Sequence, residues 1–306
     1  MPPSASLVAK TLGGLPHPAR PVLIAGPTAS GKSALALEIA QAQDRVIVNA
    51  DALQVHDMWR IVSARPSAQD EGLARHLLYG HVARDQDYSV GHWLREVATC
   101  LQDHPNPVVV GGTGLYLSAL TEGLAEIPAT PPEIRAAADA LLGSQGLAAL
   151  IMALDADTAA RIDLRNPARV QRAWEVLQAT GRGLASWQDR TGAPVLPLSR
   201  ATPIALTPDR DWLADRINRR FAGMIEQGAL SEARAALPHW PDTAGTPTAP
   251  LWTRAIGAPD LIAHLQGHMS LRQAMDAATL ATRQYAKRQR TWFRSRMKAW
   301  RQVEIP

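Results

Sequence analysis

The stretch Gly26-Pro27-Thr28-Ala29-Ser30-Gly31-Lys32-Ser33 constrains this chain more than any other. It fits G-x-x-x-x-G-K-[ST], the phosphate-binding P-loop. Val22-Leu23-Ile24-Ala25 precedes it as a short apolar run suited to a buried parallel strand, and Ala34–Ala40 follows as strong helix formers. Strand, glycine loop and helix together aim backbone N–H groups and a helix N-terminus at a phosphate chain. Lys32 adds a point charge, and Ser33 is a candidate ligand for Mg²⁺. The alternative is a Gly-rich turn with a stray lysine, which the flanking strand and helix disfavour. The motif does not say whose phosphates are held.

Two further strand ends carry candidate chemistry. Val46-Ile47-Val48 reads as a buried strand running into Asn49-Ala50-Asp51-Ala52-Leu53-Gln54-Val55. In open parallel sheets ligands collect beyond the carboxyl ends of strands, which places Asp51 in the same crevice as Lys32. Capping of the next segment is the alternative, since Asp is a preferred N-cap. Val108-Val109-Val110 then enters Gly111-Gly112-Thr113-Gly114-Leu115-Tyr116, a turn that lets backbone approach a ligand and aims Thr113 inward. Gly would serve a plain strand–helix turn equally well. The histidines His76, His81 and His92 lack metal-ligand spacing.

From Ile127 the pattern changes. Pro128, Pro131 and Pro132 mark a linker, and Ala/Leu-rich helical segments follow over 132–142, 146–154, 156–162 and 167–180. A strand returns over 203–207, then a helix over 212–224, a proline-rich loop over 237–251 and a long helix over 271–301, continuous or broken near its end. The expected fold is α/β: a P-loop parallel sheet with helices on both faces and an all-helical insertion. Its parts are a flexible lead-in over 1–19, core over 20–126, insertion over 127–202 and core again over 203–306.

Charge is unevenly spread. The net charge is only +4, yet Arg283, Lys287, Arg288, Arg290, Arg294, Arg296, Lys298 and Arg301 cluster with no acid between residues 277 and 303. Removing these eight leaves 24 basic side chains against 28 acidic ones, so a polyanion is expected at the C-terminal end. Tyr285, Trp292, Phe293 and Trp300 interleave with the stripe, as suits single-stranded nucleic acid. A solvated basic face over core aromatics is the alternative. The single cysteine, Cys100, excludes an internal disulfide framework and is expected to pack as a small apolar residue in a reducing cytoplasm. No run approaches the roughly 18 apolar residues of a membrane span, so no membrane partner is expected, and the N-terminus lacks a signal-peptide core.

In this combination the chain resembles the tRNA dimethylallyltransferases (tRNA isopentenyltransferases), from about Val22 to Trp300. The P-loop has the family's own form. Asp51-Ala52-Leu53-Gln54-Val55 resembles its D-S-x-Q-x-Y element, and Ser63-Ala64-Arg65-Pro66 its T-A-K-P. Gly111–Tyr116 matches G-G-T-G-L-Y, and Asn166–Val176 is similar to N-P-x-R-x-x-R-A-L-E-V. Thr282–Gln289 with Thr291–Arg294 matches the C-terminal signature.

The resemblance implies transfer of a dimethylallyl group from dimethylallyl diphosphate to the adenine 3′-adjacent to the anticodon, with Mg²⁺ as cofactor and a tRNA anticodon stem-loop as partner. It implies Asp51 as general base and Thr113 as a hydrogen-bond donor near the bridging oxygen. Gly26, Pro27, Thr28, Ala29, Ser30, Gly31, Lys32, Ser33, Arg220 and Arg283 are expected around the pyrophosphate. The RNA is expected against Asp51, Ala52, Leu53, Gln54, Thr113, Arg135, Ala168, Arg169, Val170, Gln171, Arg172, Arg254 and Gly257. The stretch Lys287, Arg288, Gln289, Arg290, Thr291, Trp292, Phe293 and Arg294 is expected there too. The chain departs from the family pattern at Ala52, His56, Arg60, Arg65 and Ala258-Pro259. A monomer is expected. The main rival reading is a P-loop kinase acting on a small metabolite, and the second is a non-catalytic RNA-binding ATPase.

Overall fold

Leu23 and Ala25 point to one side of a sheet and Val22 and Ile24 to the other, and all four are completely buried. An apolar strand with both faces covered is the mark of a parallel sheet. The computed structural model describes residues 7–246 and 249–305, which form two compact units.

The larger unit spans 7–121 and 195–305 among the described residues. Its first half runs α1 (Leu7–Leu12), β1 (Val22–Ala25), α2 (Lys32–Gln43), β2 (Ile47–Asn49), α3 (Ala68–Leu73), β3 (His76–Leu77), α4 (Val90–Asp103), β4 (Val108–Gly111) and α5 (Gly114–Glu122). The smaller unit, 122–194, holds α6 (Pro132–Met152), α7 (Ala156–Arg161), α8 (Pro167–Thr180) and α9 (Leu184–Gln188). The larger unit resumes with β5 (Thr202–Pro208), α10 (Arg210–Glu226), α11 (Ala229–Ala236), α12 (Ala258–Leu265), α13 (Leu271–Arg296) and β6 (Arg301–Ile305).

All strand pairings are parallel, in the order β3-β2-β4-β1-β5-β6. β1 lies between β4 and β5, with Val22 opposite both Val108 and Thr202. On one face Val22, Ile24, Val108 and Val110 pack with Leu35 and Ile39 of α2. On the other, Leu23, Val48 and Val109 meet Trp93, Leu117, Phe293 and Trp300. A separate core joins Trp59 and Val62 to Phe221, Trp252 and Leu261 beside α10, α11 and α12.

Local chemistry sets the helix ends. Asp209 accepts N–H bonds from Asp211 and Trp212 at the start of α10, as expected of an Asp at a helix start. Ser270 and Gln273 form a capping box on α13. Asn166 caps α8 with Pro167 behind it, and Gly181 closes the helix with φ 65°.

Three expectations need correction. Leu7–Leu12 is not a loose lead-in: it forms α1 and buries Val8 and Leu12 beside α2, while residues 1–6 lie outside the described residues. The last helix stops at Arg296 instead of running to Arg301, and Arg301–Ile305 becomes the edge strand β6. Alternating Arg301, Val303 and Ile305 carry that strand's pattern, with Val303 turned into the core. The helical unit also begins and ends earlier than the proline cluster suggested.

Within the helical unit, α6 reaches the length and mean hydropathy, 1.2, of a membrane span. Gly146 leaves helical geometry inside it with φ 76°. Its Asp139 accepts a hydrogen bond from Gln171 on α8 at 2.7 Å. A polar bond on that face suits helix–helix packing better than lipid.

Candidate active site

Because β1, β4 and β2 are adjacent and parallel, their carboxyl ends bring the phosphate loop, the Gly111–Gly114 turn and the Asp51 segment to one place. Beside them lies a pocket lined by Thr28, Lys32, Ser33 and Asp51 on one side. Leu53, Val62, Ile217, Phe221, Met224 and Ile256 line the other. One end of this space is charged and the other apolar.

The phosphate loop is wound tightly. Ala29 and Gly31 take left-handed backbone angles, φ 64° and 88°, and α2 starts at Lys32. The Lys32 ammonium donates to the Pro27 carbonyl at 3.3 Å. Burial pulls its pKa down from 10.5 to about 8, with the Asp51 carboxylate opposing the shift and the Arg220 guanidinium adding to it. A second pocket opens on the same loop, lined by Ala29, Gly31, Lys32, Ser33, Ala34, Arg216, Arg219 and Arg220. These three arginines lie at i, i+3 and i+4 on α10, hence on one face. Arg216 donates to the Ala29 carbonyl at 2.9 Å and lies over Trp212 at 4.6 Å. Burial lowers the Arg220 pKa, against the pull of Asp51.

Asp51 is held by its own segment. Its N–H donates to Asn49 Oδ1 at 2.9 Å, and its Oδ1 accepts from the Leu53 N–H at 3.0 Å. Thr113 Oγ1 accepts from the Ala52 N–H at 2.9 Å, so the two turns are stitched together beside the carboxylate. Burial first, then the Asp51 charge, raises the pKa of the nearby Tyr285 phenol.

The structure divides the expected residues. Lys32, Ser33, Asp51, Thr28, Leu53, Gln54 and Arg220 line the main cavity together. Arg283 does not: it is exposed and donates to Asn218 Oδ1 at 2.8 Å. Its place in the charged cradle is taken by Arg216 and Arg219. Gln54 spends its amide on the Ser63 and Ala64 carbonyls at 2.9 and 3.0 Å, fixing the loop that follows Trp59.

Of the residues expected on RNA, Lys287, Arg288, Thr291, Arg294, Arg254, Arg135, Ala168 and Arg169 are exposed, and Arg290 and Arg172 half-buried. Others are not on a surface. Val170 and Gln171 are buried within the helical unit, where Gln171 bonds Asp139 and Glu175. Gly257 is buried with φ 93° at the start of α12, and a side chain there would strike the Phe221 ring. Phe293 belongs to the sheet core. Trp292 is half-buried against Gly114, where a Cβ would come within 2.2 Å of the ring. Gln289 is 5% exposed and faces inward. The interleaved aromatics are therefore largely core, as the alternative reading held, while the basic positions face solvent.

Three departures from the family pattern sit differently, and the two ring nitrogens of His56 are buried without a hydrogen-bond partner among the described residues. His56 is 2% exposed and burial lowers its pKa. Arg65 donates to the His56 and Asp57 carbonyls at 3.4 and 3.3 Å. Arg60 pairs with Glu71 at 2.7 Å. Cys100 is half-buried in the sheet core and its thiol pKa is raised by burial, as expected of a packing residue.

Comparison with known proteins agrees with this geometry. The profile of the IPP transferase family matches residues 54–296. The tRNA dimethylallyltransferase of Cereibacter sphaeroides strain KD131 is 63% identical over 287 residues, covering 94% of this chain and 90% of the relative. That of Paracoccus denitrificans is 61% identical over 295 residues, covering 94% and 95%. Among solved structures, the tRNA isopentenylpyrophosphate transferase of Bacillus halodurans superposes with a TM-score of 0.64 at 29% identity, covering 94% of this chain and 90% of that one. A eukaryotic dimethylallyltransferase acting on tRNA gives 0.72 at 25% identity, covering 89% and 69%. With matches of this extent in both sequence and fold, the chain belongs to the IPP transferase family, that of the tRNA dimethylallyltransferases.

Proposed function

We propose that the chain transfers a dimethylallyl group from dimethylallyl diphosphate to the exocyclic amine of the adenine 3′-adjacent to the anticodon of a tRNA. The observation that carries this reading is the two-ended cavity: a phosphate loop and Arg220 at one end, an apolar wall at the other, and Asp51 between them. A diphosphate fits the first end and a short branched hydrocarbon the second.

In this scheme the allylic C–O bond breaks as the amine nitrogen bonds to the allyl carbon. Negative charge grows on the departing diphosphate, where the loop N–H groups, Lys32 and the α10 arginines stabilise it. Asp51 takes the amine proton. Thr113, joined to the Asp51 segment through Ala52, donates toward the leaving oxygen. The adenine enters unstacked from the RNA, whose backbone lies along the exposed basic positions of α13.

Ser33, exposed at the first turn of α2 and lining both pockets, suits Mg²⁺, which binds through few protein oxygens plus substrate phosphates. Among the described residues no cluster of three acidic, His or Cys side chains competes for that role. When bound, Mg²⁺ would neutralise diphosphate charge. The proposal has the chain working as a monomer in the cytoplasm.

Incubation with Mg²⁺, radiolabelled dimethylallyl diphosphate and an anticodon stem-loop should label the RNA, and Asp51→Ala should lower the rate about 10²- to 10⁴-fold. Labelling of a small metabolite from γ-labelled ATP, with none of the RNA from the prenyl donor, would establish the kinase reading instead.

A further inference from the structure

Gln289 lies in the stretch expected to grip RNA, yet it is buried at 5% exposure. Its Oε1 accepts the Thr28 N–H of the phosphate loop at 2.9 Å. Its Nε2 donates to the Gly112 carbonyl of the neighbouring turn at 2.9 Å. Tyr285 lies one turn earlier on the same helix. Gly112 has room for no side chain: a Cβ would lie 2.3 Å from the Gln289 amide nitrogen and 3.2 Å from Asp51 Oδ2.

We infer that Gln289 is a positioning residue that sets the spacing between the phosphate loop and the Gly-Gly-Thr-Gly turn, and thereby the pyrophosphate cradle, instead of contacting RNA. The neutral amide offers an acceptor to one loop and a donor to the other at this reach. The residues around it divide by face. Lys287, Arg288, Thr291 and Arg294 point to solvent, while Tyr285, Gln289 and Phe293 recur every four residues toward the sheet. One helix thus presents charge outward and fixes the donor site with its inner face. Phosphate loops ordinarily turn their N–H groups to the ligand. Here the Thr28 N–H is committed to Gln289, so the loop's shape depends on α13.

The inference rests on the reading of the loop as a pyrophosphate cradle, and the test separates the two. Calorimetric titration of the full chain with inorganic pyrophosphate and Mg²⁺, without RNA, reads the cradle alone. Titration with an anticodon stem-loop reads the RNA face. Gln289→Leu orphans the Thr28 N–H and the Gly112 carbonyl, so pyrophosphate affinity should fall about 5- to 150-fold, with stem-loop affinity within twofold. Lys287→Ala should do the reverse.

Gln289→Glu keeps the acceptor but turns an oxygen on the Gly112 carbonyl. Its defect relative to the parent at the same pH should shrink as the pH is lowered from 8 to 5.5 and the new carboxyl protonates. Asp51, Lys32, Arg220 and Tyr285 are the ionisable groups of the same pocket, and the parent carries them equally. Should Gln289→Leu not fold, this pH recovery decides the matter. Loss of stem-loop affinity with unchanged pyrophosphate affinity in both variants would make Gln289 an RNA contact and overturn the inference alone. Absence of pyrophosphate binding by the parent protein would overturn the cradle reading as well.

Discussion

The Thr113 hydroxyl accepts a hydrogen bond from the Ala52 N–H at 2.9 Å, which ties the turn after β4 to the turn after β2 that carries Asp51. A hydroxyl accepting from a backbone amide has its own proton directed elsewhere. In the proposed reaction that proton goes to the departing oxygen. Thr113→Val keeps the side-chain volume and removes both roles, so turnover should fall about 10²-fold, the scale of a lost transition-state donor. Thr113→Ser should stay within a few-fold. Single-turnover rates with saturating donor would check both, and equal losses in the two variants would place the importance in the methyl group.

Lys32 makes the site pH-sensitive in a defined direction. Its pKa falls from 10.5 to about 8 through burial. Between those pH values the unfolded chain binds the extra proton, so this group's contribution to folding stability rises with pH across that window and is unfavourable below pH 8. Pyrophosphate favours the charged form and opposes this. Its affinity should be flat below about pH 8 and weaken by as much as tenfold per pH unit above it. In Lys32→Arg, whose charge persists, the affinity should not fall in that range, and calorimetry across pH 7 to 9.5 reads the difference.

Arg219 and Arg216 line the outer cavity with Lys32 and Arg220, whereas Arg283 bonds Asn218. Arg219→Ala should therefore weaken pyrophosphate binding more than Arg283→Ala does, by about 1 kcal/mol or more, the scale of one charge-assisted hydrogen bond. The order of the two variants in a competition assay decides which pair completes the cradle.

Lys287 and Arg294 are exposed on the outer face of α13. Replacing both by Ala should weaken stem-loop binding and reduce the slope of log affinity against log salt by about one unit for each RNA phosphate no longer neutralised. The donor KM should not move. An unchanged salt slope would return this face to plain solvent.

Glu232 supports the site from α11. Its carboxylate accepts the N–H groups of Arg60, Ile61 and Val62 at 2.5, 3.1 and 2.9 Å, shaping the loop that brings Val62 and Ser63 to the cavity. Glu232→Ala leaves those donors without that acceptor and should cost about 1–3 kcal/mol in denaturant unfolding. Glu232→Gln should cost less.

The strands and loops of the site were legible because apolar β-branched runs ending in Gly, Asp or Thr have few other uses. The P-loop, Asp51 and Thr113 all fall at adjacent carboxyl ends of the sheet. What stayed hidden was decided by interactions distant in sequence. Glu232 reaches back to residue 60, and Gln289 joins Thr28 to Gly112. Neither has a local pattern that marks it. Arg216 and Arg219 did carry a signal, their i, i+3, i+4 spacing with Arg220, which points all three the same way once one of them is placed. The resemblance misled where it assigned every residue of 287–294 to the RNA, since Gln289 and Phe293 sit on the inner side of α13.

The strand β6 gives the chain's last residues an unexpected standing. Arg301–Ile305 pairs with β5 from Ile204 to Pro208, and β5 in turn flanks the strand that launches the phosphate loop. The helix bearing Gln289 is thus a beam fixed at its far end into the sheet it spans. A proteolytic nick after Arg296 would strip β5 of its neighbour, bare an edge prone to pairing with other chains, and unmoor the beam together with the loop it steadies. What reads as a tail is the abutment of the active site.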